Sequence, residues 1–427
     1  MLWQIELLYF VVMIGVFVLL LLKFKMRAGL ALMVSSIVGA VLSAIISKTD
    51  LSIHHFVEGG FAYFDTILVI TTAMIFIGGL EESGALDYLS AALINIFYRS
   101  PKILLVCLMF IIMFPGMITG SSLSCIVTSG ALVAPIMIKI GIPRAKVGAI
   151  IAFGAILGMV APPINIPVML ICDVVDIPFT GFTLPLLALT IPLAIFIVLF
   201  LGRKHITKID LDSLKDLIHF DYLDKYSELI YLPIIVLVAL IILQSVFPLV
   251  FGSLGMPLIF VIATAFTPWF GKKFNIIKTI KNGVIKAFPA MALLIGVGMF
   301  IQIITLNGVR GYFVINALTL PNIFQYISMA ISLPIFGGIS AFGSSSILGG
   351  PFVMALLAYN EIIVASSLSL LASLGEFLPP TAMSATLSAK IVDEEKYTTI
   401  TKNAFIPLLV SIGYAMIFIV VVAQIWP

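Results

Sequence analysis

Six serines and two proline pairs, set in otherwise apolar sequence, carry most of the chemistry this chain can offer. From Gly120 to Pro167 it reads GSSLSCIVTSGALVAPIMIKIGIPRAKVGAIIAFGAILGMVAPPINIP, and between Gly343 and Ser384 the same order returns as GSSSILGGPFVMALLAYNEIIVASSLSLLASLGEFLPPTAMS. Hydroxyls and carbonyls at the end of an interrupted helix suit Na+, and amides at a half-helix N-terminus attract a carboxylate. Ser121, Ser122 and Ser124 in the first cluster and Ser344, Ser345 and Ser346 in the second are therefore the candidate ligands. Pro162-Pro163 and Pro379-Pro380 each remove two amide donors, so the helix unwinds there and exposes carbonyls. Asn165 adds a side-chain amide after the first pair, and Thr381 and Ser384 are its nearest counterparts after the second. Gly, Ser and Pro are also commonplace at helix contacts and kinks. Two clusters at matched places weigh toward function.

One acid stands well inside an apolar run: Glu376, one residue after Gly375 and three before Pro379. Such acids are candidates for proton or cation coupling, and a hydrogen bond to exposed backbone is the competing reading. The position matching it in the first half is Met159, which sets Glu376 outside a symmetric ion-site plan. His54, His55, His205 and His219 are expected in loops, which removes the usual ingredients of an intramembrane metalloprotease. Cys107, Cys125 and Cys172 lack metal or disulfide spacing and read as small core residues.

The elements that must position these groups follow from composition. Hydrophobic residues make up 62% of the 427 positions and charged ones 10%, too few to cover a soluble surface. Mean hydropathy is +1.24. The chain reads as an all-α polytopic membrane protein, and its net charge of +3 reports orientation in the bilayer, not affinity for nucleic acid. The apolar run Leu7 to Leu22 precedes Lys23, Lys25 and Arg27, the order of a retained first helix entering from outside. Basic clusters then place each turn, and both termini are expected outside.

Two halves emerge. Residues 1–202 form a first repeat, with a re-entrant hairpin near 120–140 and a proline-broken helix over 147–172. A cytoplasmic connector covers 203–229, and residues 230–427 form the second repeat, with a hairpin near 343–358 and a broken helix over 362–389. Four short matches run in the same order. Gly84 pairs with Gly308, the Gly120-Ser121-Ser122 run with Gly343-Ser344-Ser345, Pro162 with Pro379, and Pro185 with Pro407. The charge rule gives the halves opposite directions, so the repeats are inverted, as in secondary transporters.

These residues resemble a family, the large membrane subunit of tripartite ATP-independent periplasmic (TRAP) transporters, within the ion transporter superfamily. The resemblance rests on IFIGGLEESGALDYL from Ile75, GSS followed by an APIM run, LGMVAPPIN from Leu157 and LGEFLPPTA from Leu374. It implies an elevator-type carrier in the bacterial cytoplasmic (inner) membrane, with no cofactor. Na+ would drive import of an organic acid delivered by an extracytoplasmic substrate-binding protein, with a small membrane subunit completing the complex. It further implies one Na+ site at Gly120, Ser121 and Ser122 with Pro162 and Pro163, and another at Gly343, Ser344 and Ser345 with Pro379 and Pro380. Thr381-Ala382 stands where the family has glycine shortly after the second proline pair. The runner-up is a stand-alone carrier of the same superfamily for a dicarboxylate or gluconate-like acid, coupled to Na+ or H+. An integral membrane enzyme or scaffold comes last, because no His/Asp, Cys/His or Ser/Lys constellation supports it.

Overall fold

The computed structural model describes residues 2–48, 53–206, 221–247, 250, 254–356 and 358–425. Most of the expected connector, with Lys208 and His219, lies outside the described residues, as does Asp50. The described residues form helices joined by turns, without a strand, and eight helices are long and apolar enough to cross a membrane. His54 and His55, expected in a loop, lie instead on the short helix Ile53–Phe61.

The first half runs α1 (Leu2–Leu22), α2 (Ala28–Ser47), α3 (Ile53–Phe61), α4 (Phe64–Ser83), α5 (Ala85–Phe97) and α6 (Pro101–Thr119). A tip at Gly120-Ser121 then leads into a return leg: α7 (Ser122–Cys125), a π-turn (Ile126–Gly130) and α8 (Ala131–Lys139). The broken helix follows as α9 (Arg144–Val160) and α10 (Ile166–Val175), and α11 (Thr183–Gly202) closes the half. After α12 (Asp221–Lys225), the second half runs α13 (Leu232–Val246), α14 (Gly255–Ala265), α15 (Ile276–Leu306), α16 (Val309–Thr319) and α17 (Asn322–Gly337). Its return leg is α18 (Ala341–Ser344), a π-turn (Ser345–Gly349) and α19 (Gly350–Ala355). The second broken helix is α20 (Glu361–Leu374) and α21 (Met383–Ile391), followed by α22 (Tyr397–Ile417).

The register at the hairpin tips differs from the letter match. The return legs begin at 122 and 341 and the π-turns at 126 and 345, an offset of 219 rather than the 223 that aligned Gly120 with Gly343. Ser121 is the N-cap of α7, accepting from Ser124 N, and Ser340 is the N-cap of α18, accepting from Gly343 N. Glycine and serine recur four residues further on, one helical turn, which is why the letter match slipped by that amount. At the breaks the offset is 217 throughout, since α9 and α20 start at 144 and 361 and α10 and α21 at 166 and 383.

Apolar packing divides into two clusters. One gathers α6 and α8 to α11 with α20 to α22. The other gathers α1, α2, α4, α5, α14 and α15. Ile118, Ile164, Ile166, Phe342 and Ile347, at or beside the tips and the first break, pack into the second cluster and so join the two bodies. In the first body every residue from Val147 to Val160 of α9 and from Ile363 to Leu374 of α20 is buried. A helix buried on every side belongs in the centre, and the four serines of α20 stay there because each hydroxyl donates to a carbonyl one turn back. The halves then exchange partners: α21 packs on α9, and α10 on α20. In the second body the long α15 meets α2 and α3 at Gly296 and Gly298, whose missing side chains let it approach the Gly29 and Gly59 backbones.

Candidate functional site

Each hairpin tip is tied to the break of its own repeat by the same backbone bond. Past the first proline pair, Ile164 N donates to Met117 O at 3.2 Å; past the second, Thr381 N donates to Gly338 O, also at 3.2 Å. Both Pro162-Pro163 and Pro379-Pro380 peptide bonds are cis. The helices cross at small residues: Gly116 approaches Gly158 in the first repeat and Gly337 approaches Gly375 in the second. A side chain at any of the four would meet the facing backbone or side chains.

Around the first tip, Gly120 adopts the left-handed conformation (φ 62°) that ends α6, and its open side faces Ile164 and Ile166. Asn165 caps α10, its Oδ1 accepting from Val168 N at 2.9 Å. Its amide donates to Val160 O at 2.8 Å and to Ser369 Oγ on α20 at 3.1 Å. Both amide protons are thus engaged. Ser124 is buried, and its carbonyl accepts from Thr128 Oγ1 at 2.7 Å.

Around the second tip, three carbonyl oxygens converge. A Cβ built on Gly338 would stand 2.7 Å from Pro379 O and 3.1 Å from Ile335 O and Leu378 O; Ile335 O already accepts from Gly338 N at 3.2 Å and Leu378 O from Ala382 N at 3.0 Å, each keeping a second lone pair. Backbone carbonyls at a broken helix suit a monovalent cation. Thr381 Oγ1 donates to Gly338 O at 2.7 Å. Ser344 Oγ donates to Leu333 O at 2.8 Å, just as Cys125 Sγ, its equivalent at offset 219, lies 3.6 Å from Met113 O. Ser346 Oγ donates to Gly343 O at 3.1 Å, and Ser345 Oγ is buried without a partner. The residue matching Asn165 is Ala382, not Thr381 or Ser384, and it sits at φ 40° with no side-chain cap.

Glu376 joins the two repeats. It lies in the 3-10 turn Gly375–Phe377 that ends the first half of the second broken helix, 6% exposed. Its Oε1 accepts from Ser122 Oγ at 3.0 Å, and its Oε2 accepts from Ser384 Oγ in a short contact. The expected alternative, a bond to exposed backbone, is replaced by two hydroxyl donors. One comes from the first repeat's hairpin and one from the second repeat's own broken helix.

The structure therefore brings Ser122, Glu376 and Ser384 together, and sets Gly338, Thr381 and the carbonyl before Pro380 at a second point. Ser121 and Asn165 serve as helix caps. Reasoning from sequence missed Ser340, Gly338 and Ser369; the offset of 219 between two similar leg lengths was the signal available for Ser340. Gln302 donates to Glu58 Oε2 at 2.9 Å and links α15 to α3.

Paired broken helices and hairpin tips that meet at buried oxygens are the hallmark of a secondary transporter. The chain belongs to the family described as the tripartite ATP-independent periplasmic transporter, DctM component, whose model matches residues 11–425. Its fold is similar to that in a crystal structure of the Alcanivorax borkumensis YdaH transporter, described as revealing an unusual topology. The TM-score is 0.61 at 17% identity, over 86% of this chain and 87% of that one. No curated protein matches the sequence.

Proposed function

We propose that this chain is the large membrane subunit of a tripartite transporter that imports an organic acid on a Na+ gradient, across a bacterial inner membrane with both termini outside. A small membrane subunit and an extracytoplasmic substrate-binding protein would complete it. The observation that carries the proposal is the convergence of the Ile335, Leu378 and Pro379 carbonyls beside Gly338, at a tip bonded to its own broken helix. Oxygens in such a place select a hard cation and leave the anion to the neighbouring amides and hydroxyls. Ser345 Oγ, buried and unpartnered in the adjacent π-turn, is the hydroxyl still available to a carboxylate. The apolar core, divided into two clusters that meet at the tips, supports an elevator movement of one body against the other.

The test is uptake of labelled mono- and dicarboxylates into proteoliposomes under Na+, K+ and pH gradients, with and without the partner proteins. Uptake that needs Na+ and both partners is expected. Na+-independent uptake would remove the coupling, and uptake by the chain alone would make it a stand-alone carrier.

A further inference from the structure

The resemblance to the family implies one cation site per repeat, each between a tip and its own break. Glu376 and Ser384 belong to neither, and Ser122, which the resemblance assigns to the first, gives its hydroxyl to Glu376 instead. We propose that these three residues form a further monovalent-cation site, lying across the two repeats. The inference rests on the Na+-coupled reading above and adds one ion to it.

All three side chains are buried, at 6% exposure for Glu376, 1% for Ser122 and none for Ser384. The carboxylate accepts two hydroxyl protons and retains lone pairs, and each hydroxyl retains its own. The ion pairs among the described residues join His54 and His55 to Glu58, Arg144 to Asp393 and Lys286 to Glu81, and none of these reaches Glu376. A carboxyl shut off from both water and basic side chains is held either neutral by a proton or charged beside a cation. The oxygens already gathered are the hard ligands that Na+ takes. Ser388 provides an independent observation: four residues beyond Ser384 on the same helical face, its Oγ is wholly buried and has no hydrogen-bond partner.

The site is single. Its mirror position, at the break offset of 217, is Met159, a buried thioether that offers a hard cation nothing. A cation here neutralises the Glu376 carboxylate and ties the tip of the first hairpin to α21. It therefore binds only when that tip and the second break are in register, which couples the two repeats in a way that two symmetric sites would not.

Equilibrium binding of labelled Na+ to the full-length chain in lipid nanodiscs decides the matter. Glu376→Gln should bind one Na+ fewer per chain than the wild type, and Glu376→Asp should restore the number with weaker affinity. An unchanged number in Glu376→Gln, or loss of a bound proton in place of a Na+, overturns the proposal. Should Glu376→Gln fail to fold, Ser384→Ala keeps the charge and removes a ligand: one Na+ should then bind several-fold more weakly, and unaltered binding overturns the proposal equally. Wild-type protein that binds no Na+ at all would instead sink the Na+-coupled reading itself, so the two failures are separable.

Discussion

The two helix breaks share one construction and differ in what fills it. At the first, Pro162 is buried, Asn165 uses both amide protons, and no charge is present. At the second, Pro379 and Pro380 are exposed, Ala382 replaces the capping asparagine in a left-handed conformation, and Glu376 sits within. The first break is closed by its own side chains, whereas the second leaves carbonyls and a carboxylate with capacity to spare. Duplicated architecture thus yields one break closed by its own hydrogen bonds and one whose oxygens can still accept more.

The largest expected effect tests that division directly. Hydrogen bonds to a charged group are worth about 1.5–3 kcal/mol each, so Glu376→Ala should lower Na+-driven uptake by about 10- to 100-fold. Wild-type uptake in this variant would erase the distinction between the breaks. Asn165→Ala, on the other side of the comparison, removes a cap and two buried bonds. It should destabilise the folded protein by about 2–4 kcal/mol, read as a lowered midpoint of thermal unfolding in detergent, and an unaltered midpoint would mean the first break needs no closure.

Smaller effects sharpen the register. Ser121→Ala and Ser340→Ala should each cost about 1 kcal/mol as lost N-caps. The loss should be greater at Ser340, whose bond is 3.1 Å against 3.5 Å at Ser121. A silent Ser340→Ala would return the alignment to Gly343. Least of all, Ala382→Gly should raise the unfolding midpoint slightly, by about 0.5–1 kcal/mol of stability, because glycine accepts a positive φ that alanine adopts at a cost. A fall would show that the Ala382 methyl packs well enough to outweigh its backbone strain.

How much of this could be read from the chain depends on how local each feature is. Spans were legible because a membrane helix declares itself by length and apolarity, and the breaks because proline interrupts a helix wherever it falls. The split of Ile53–Phe61 from Phe64–Ser83 was not legible, since its turn at Ala62-Tyr63 carries no breaker. The tips were half legible: glycine and serine marked the place, yet serines one turn apart look alike in sequence, and only the cap geometry at Ser121 and Ser340 separates them.

By itself, then, the sequence determined a helical membrane protein with two halves, each with a hairpin tip and a proline break, because those properties reside in runs of neighbouring residues. Only the tertiary structure decided which oxygens meet. Ser122 finds Glu376 across 254 residues and Asn165 finds Ser369 across 204. Those pairings follow from α10 packing on α20 and α21 on α9, an exchange set by how buried helices fit together and not by any pattern along either one.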